Sequence, residues 1–172
     1  MVSILLIQGF HTFEHLLQVF QRFVFHQPKG AGVLGSWVDV EPVHLGYNMV
    51  YLWLLTLTYW EGKFWKERKV NRLFFWAITA SIATQGWHFV EHLFKIGQFI
   101  DSGNNGTPGL LGNNGVFGTH WNIVWLHFTY NFLVFVPFVV AFFAGGFHRE
   151  AMKELRKLTS RGRQQEATSA QP

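Results

Sequence analysis

The sequence predicts an all-α integral membrane protein: four transmembrane helices built as two tandem two-helix repeats in parallel duplication, with both termini in the cytoplasm. Three observations predict it. The composition is 49% apolar and 18% aromatic but only 14% charged, where soluble chains carry about 25% charged residues. Four apolar segments are each long enough to approach the roughly 20 residues that cross a bilayer core. Two near-copies of one polar motif, QGFHTFEHLLQ from residue 8 and QGWHFVEHLFK from residue 85, lie inside two of those segments.

The spans are placed near residues 2–25, 43–60, 73–100 and 120–146. The opening MVSILLIQGF has neither a basic leader nor a small-residue cleavage site, so it is expected to be a retained helix rather than a signal peptide. Pro137 is expected to kink the fourth span. Residues 1–147 form the transmembrane domain, with repeat one at about 1–72 and repeat two at about 73–147. Residues 148–172 form a basic cytoplasmic tail, a charged helical extension fading into the low-complexity, partly disordered QQEATSAQP.

The formal charge of +4 is concentrated. Lys63, Lys66, Arg68, Lys69 and Arg72 lie between spans two and three, and Arg149, Lys153, Arg156, Lys157, Arg161 and Arg163 follow span four. The positive-inside bias puts both groups in the cytoplasm and the two Gly-rich loops outside, in a multi-pass protein of a bacterial inner (plasma) membrane. Because both clusters flank spans, the basic charge is read as membrane-surface charge, and no nucleic-acid partner is expected. The chain has no cysteine, which removes disulfides, thiolate metal sites and iron–sulfur clusters. Any metal is held by nitrogen and oxygen.

Aligned at an offset of 77, the two motifs match Gln, Gly, His, Glu, His and Leu, and AGVLGS at 31 pairs with PGLLGN at 108. One residue out of that register, at 76, His44 pairs with His120. Helices one and three thus become symmetry mates around a shared polar centre. The long loops either adopt a defined structure that dips toward the bundle or serve as plain connectors.

Positions i, i+3 and i+4 share a helix face. His11, Glu14 and His15 therefore project together, as do His88, Glu91 and His92. Imidazoles four apart chelate one ion from one helix, and a neighbouring carboxylate ligates, bridges or takes a proton. The local pattern resembles that of di-iron bundles, in which Glu and His three residues apart project inward, with the order reversed here. H-x-x-E-H also occurs in inverzincin proteases. The expected ligands are His11, His15, His88 and His92, with Glu14 and Glu91 as bridging or proton-handling catalytic carboxylates and Gln8 and Gln85 one turn away. His127 falls in the layer of His15 and His92, with Tyr51 in its place in the other repeat. His44 and His120 lie higher and join only if helices tilt or loops re-enter. His26 and His148 lie at interfaces, without repeat mates, and are read as ordinary polar residues.

Three functions accord with this centre. The first is a membrane-embedded non-haem di-metal oxidoreductase, an oxidase or hydroxylase with two iron ions (zinc, manganese or copper as alternatives) acting on a lipid, quinone or other apolar substrate. The second is a haem b or pigment-binding electron-transfer subunit of a larger membrane complex. The third is a divalent-metal transporter, which four spans would support only as a homo-oligomer. The lipid bilayer is the partner common to all three.

Overall fold

The computed structural model describes residues 1–27, 30–35 and 38–169, the side chains of 161–169 excepted. Five α-helices run in order: α1 (Val2–Phe23), α2 (Glu41–Glu61), α3 (Arg72–Ser102), α4 (Ile123–Ala144) and α5 (Phe147–Ser169), with a short 3-10 turn at Phe64–Arg68. Local signals set the ends. Asn71 and Asn122 accept from the backbone N–H groups of Phe74 and Val124 at the starts of α3 and α4. Pro42 sits in the first turn of α2, where its missing N–H costs nothing. Gly103 closes α3 in the left-handed conformation, which a glycine reaches without strain.

The first four helices pack as a bundle in which α4 lies between α1 and α3, and α3 between α4 and α2. The bundle has two ends of different character. Toward the 3-10 turn, Tyr51, Leu55, Phe64, Phe74, Ile78, Val134 and Phe138 form an apolar core. Ser81 there donates to the Val134 carbonyl, one turn before Pro137, and α4 continues across that proline. Toward the two long loops, the interior is polar: Gln8, His15, His44, Asn48, Gln85, His88, Glu91, His92, Lys95 and Asn131 are buried. Outward faces carry large apolar side chains, among them Leu6, Phe10 and Phe13 on α1 and Leu73 and Trp76 on α3.

The four-span membrane fold is corrected by this structure. The helices coincide with the four apolar segments, but among the described residues only α4 is long and apolar enough to cross a membrane, with a mean hydropathy of 1.8. The polar side chains that α1, α2 and α3 turn inward dilute their hydropathy below that level. The multi-pass membrane location falls with the fold, and so does the sidedness assigned to the loops and termini. The segment following α4 is helix through Ser169, packed lightly against α4 and α1 at its start.

Both loops are tied to the helices that precede them, at the same offset of 77. Glu14 Oε1 accepts from Leu34 N at 2.9 Å, and Glu91 Oε1 accepts from Leu110 N at 2.9 Å and Leu111 N at 3.3 Å. Gln21 exchanges two hydrogen bonds with the Gly32 backbone (2.8 and 3.2 Å), and Gln98 does the same with Gly109 (2.7 and 3.1 Å). Gly32 and Gly109 have φ near +69° and +68°, and a Cβ on either would collide with the carboxylate it faces. That close approach, together with the positive φ, is why glycine stands at both places. Of the two readings of the loops, the defined structure dipping toward the bundle is the one found.

Candidate metal centre

Six imidazoles from four helices converge at the polar end. His11 and His15 come from α1, His44 from the first turn of α2, His88 and His92 from α3 and His127 from the second turn of α4. Their rings form a continuous cluster. His11–His15 centroids are 4.6 Å apart, His88–His92 4.9 Å, His92–His127 5.1 Å, His15–His127 5.6 Å and His44–His92 5.6 Å. Within the cluster, ligand atoms of His88, His92 and His127 lie within 4.8 Å of one another, the one such group of His or acidic residues among the described residues. His92 Nε2 and His88 Nε2 face each other at 3.2 Å.

Partners outside the cluster fix ring orientation. Gln18 Oε1 lies 2.7 Å from His15 Nδ1. Glu41 Oε2 lies 3.4 Å from His92 Nδ1, an electrostatic contact rather than an aligned hydrogen bond. Glu41 Oε1 also takes a 2.7 Å ion pair from Lys95 Nζ, whose second partner is the Thr107 carbonyl at 2.7 Å. Such outer contacts hold a ligating imidazole in one tautomer and orientation. His11 Nε2, His88 Nδ1 and His127 Nε2 are buried without a hydrogen-bond partner, a condition that costs about 1–3 kcal/mol per group.

Burial holds the imidazoles neutral, the form that ligates. It lowers His15 to about 3, reinforced by His44, and His92 to about 4 against the opposing pull of Glu41. His88 lies well below the ordinary range, again by burial and then by His92. Burial pushes Glu41 up, but His92 and Lys95 more than offset it and leave the carboxyl below its usual value.

The structure separates the expected site residues. His11, His15, His88, His92, His44 and His127 are brought together. His120 is exposed and lies outside the cluster, beside the loop residues Pro108 and Asn113. Glu14 and Glu91 each commit one oxygen to loop N–H groups, while the other is buried without a partner. One oxygen of each is thus a loop anchor, a role that same-face reasoning did not assign. His26 is exposed, and His148 packs its ring against Phe143.

A second repeated motif lies on α2 and α4. HLGYN at 44 and HFTYN at 127 align at an offset of 83, so the repeat mate of His44 is His127 and not His120. The structure shows the equivalence bond by bond. Asn48 and Asn131 each donate to the carbonyl of their own histidine, at 2.8 and 3.0 Å. Gln85 Nε2 donates to Asn48 Oδ1 at 2.8 Å, and Gln8 Nε2 donates to Asn131 Oδ1 at 3.0 Å. Tyr47 stacks on His11 at 4.0 Å, and Tyr130 on His88 at 5.0 Å. The signal was present as H-x-x-Y-N, hidden because the second external loop is longer.

A cavity of about 460 Å³ reaches the cluster from the loop end, lined by Asp39, Glu41, His44, Lys95, Asn122 and His127 among others. A smaller pocket of about 100 Å³ opens beside His11 and His15 between Phe10, Leu34, Val38 and Val43. No family model, curated protein or solved structure matches the chain.

Proposed function

We propose that the protein is a non-haem metalloprotein of the oxidoreductase class, holding a transition-metal ion on His88, His92 and His127. The observation that carries this reading is the convergence of three buried imidazoles, with ligand atoms within 4.8 Å of one another. Three protein ligands leave a coordination position open, the arrangement of reactive rather than structural sites. The charged cavity at His127 gives water, dioxygen or a small ion a way in, and an apolar substrate would enter by the smaller pocket.

The donor set narrows the metal. The converging ligand atoms are all imidazole nitrogens, a donor set that suits copper, zinc or iron and favours copper among divalent ions. The contacting rings leave room for ions but not for a flat macrocycle, which favours a non-haem centre over haem b. A redox role is supported by Tyr130, whose ring stacks on His88 and whose hydroxyl accepts from Trp87 Nε1 at 2.9 Å. A phenol packed on a ligand is placed to give up an electron. The ion would supply one-electron chemistry at the open position; the chain's own residues orient the imidazoles, exclude bulk water and keep the nitrogens unprotonated.

Metal content and the visible spectrum after loading with Cu(II), Fe(II) or Zn(II) test this. The expected result is at least one tightly held ion per chain, a chromophore that bleaches on reduction, a fall in both in His127→Ala and full retention in His120→Ala. Equal metal in wild type and His127→Ala overturns the site; a preference for zinc over copper and iron overturns the redox class.

A further inference from the structure

The hydrogen-bond skeleton that repeats across the bundle assigns partners to the three remaining imidazoles. Under the offsets of 77 for α1 and α3 and 83 for α2 and α4, His11, His15 and His44 correspond to His88, His92 and His127. The ring spacings are similar, although among the described residues only the second triad brings its ligand atoms within 4.8 Å of one another. His11–His15, His11–His44 and His15–His44 centroids are 4.6, 6.2 and 5.8 Å apart. Their counterparts His88–His92, His88–His127 and His92–His127 are 4.9, 6.0 and 5.1 Å apart.

We propose that His11, His15 and His44 hold a second metal ion, facing the first across the pseudo-two-fold axis of the bundle. This rests on the reading of His88, His92 and His127 as a metal site. In each triad an oxygen stands at Nδ1 of the second histidine. Gln18 takes His15 Nδ1 and leaves Nε2 for a ligand, as Glu41 stands at His92 Nδ1. His11 Nε2 is buried and unpartnered. His44 Nε2 lies 3.6 Å from Asp39 Oδ1.

The two triads touch. His44 lies 5.6 Å from His92 and 6.0 Å from His127, and His15 lies 5.6 Å from His127, centroid to centroid. Two ions would therefore share one pocket and act on one reactant. The pair differs from the carboxylate-bridged centre expected from the sequence: each ion has three imidazoles, two from one helix and one from the helix that follows it.

The test is a Cu(II) titration of wild type, His44→Ala and His127→Ala, with bound copper counted by elemental analysis and integrated by electron paramagnetic resonance. The expected result is two copper ions per wild-type chain and one in each variant, with the second equivalent reducing the integrated signal through magnetic coupling. One ion per wild-type chain, retained in His44→Ala and lost in His127→Ala, overturns the second site while leaving the first standing. Two ions in the wild type with no loss in His44→Ala also overturns it. No retained copper at all sinks both readings. Helix content by circular dichroism accompanies each variant, and a wild-type count of one ion overturns the second site even where a variant unfolds.

Discussion

The half of the bundle built from α1 and α2 and the half built from α3 and α4 share a common set of polar contacts around the histidines, and differ most at one position. Each half anchors a loop with a glutamate and a glutamine, crosses to the other half with a glutamine–asparagine pair, and stacks a tyrosine on its first histidine. At the position that follows the second histidine by three residues, α1 has Gln18 and α3 has Lys95. Gln18 touches its own helix's His15, whereas Lys95 reaches away to Glu41 and Thr107, and Glu41 turns to His92. The shared contacts build the centre; the unshared one makes its two sides chemically unequal and puts a buried charge pair at the mouth of the larger cavity.

The comparison is broken most strongly at Lys95. Its ammonium and the Glu41 carboxylate are both buried, so Lys95→Met leaves an uncompensated charge and is expected to cost about 3–5 kcal/mol. Gln18→Leu, its counterpart, removes a neutral contact and is expected to cost about 1–3 kcal/mol. Denaturant unfolding of both variants checks the difference, and equal losses would remove the distinction between the halves. The loop anchors come next. Gly32→Ala and Gly109→Ala each add a Cβ against a carboxylate at positive φ, with an expected cost of about 2–4 kcal/mol. Thermal melting of the two variants should move together; a large shift in one alone would mean that only that loop is held as described.

The crossing pairs sharpen the same point. Gln8→Leu and Gln85→Leu each strand an asparagine in the interior, at about 1–3 kcal/mol apiece by equilibrium unfolding. A double mutant with the partner asparagine should recover part of that loss. The smallest effect is the pH dependence carried by Glu41. Its folded pKa lies below the unfolded value, so its contribution to stability is full above the unfolded pKa and is lost as pH falls through the folded one. Acid unfolding of Glu41→Gln should therefore show a shallower acid limb than wild type, and an unchanged limb would mean that the carboxylate is not held by His92 and Lys95.

Much of the centre was legible because repetition exposes it. The matched Gln, His, Glu and His at an offset of 77 marked α1 and α3, and depth counting placed His127 beside His15 and His92. The loop-anchoring role of the glutamates was not legible, for a geometric reason. At about 100° per residue, Glu14 points roughly 100° away from His15 even though both lie within one broad face, far enough to meet Leu34 rather than the cluster. His44 was paired with His120 because register was carried through a loop whose length differs between the copies. H-x-x-Y-N, read from within the helices, sets the register correctly. The membrane reading failed because segment-wide apolarity was counted without weighing the inward polar stripes, which leave α4, among the described residues, as the one helix apolar enough by length and composition.

The central claim is that His88, His92 and His127 hold an ion. Anomalous diffraction from crystals of the copper-loaded protein tests it most directly. The account predicts a peak bounded by the nitrogens of those three imidazoles, with Glu14 and Glu91 still on the loop N–H groups. A peak coordinated by Glu14 or Glu91, or none within the histidine cluster, would contradict it.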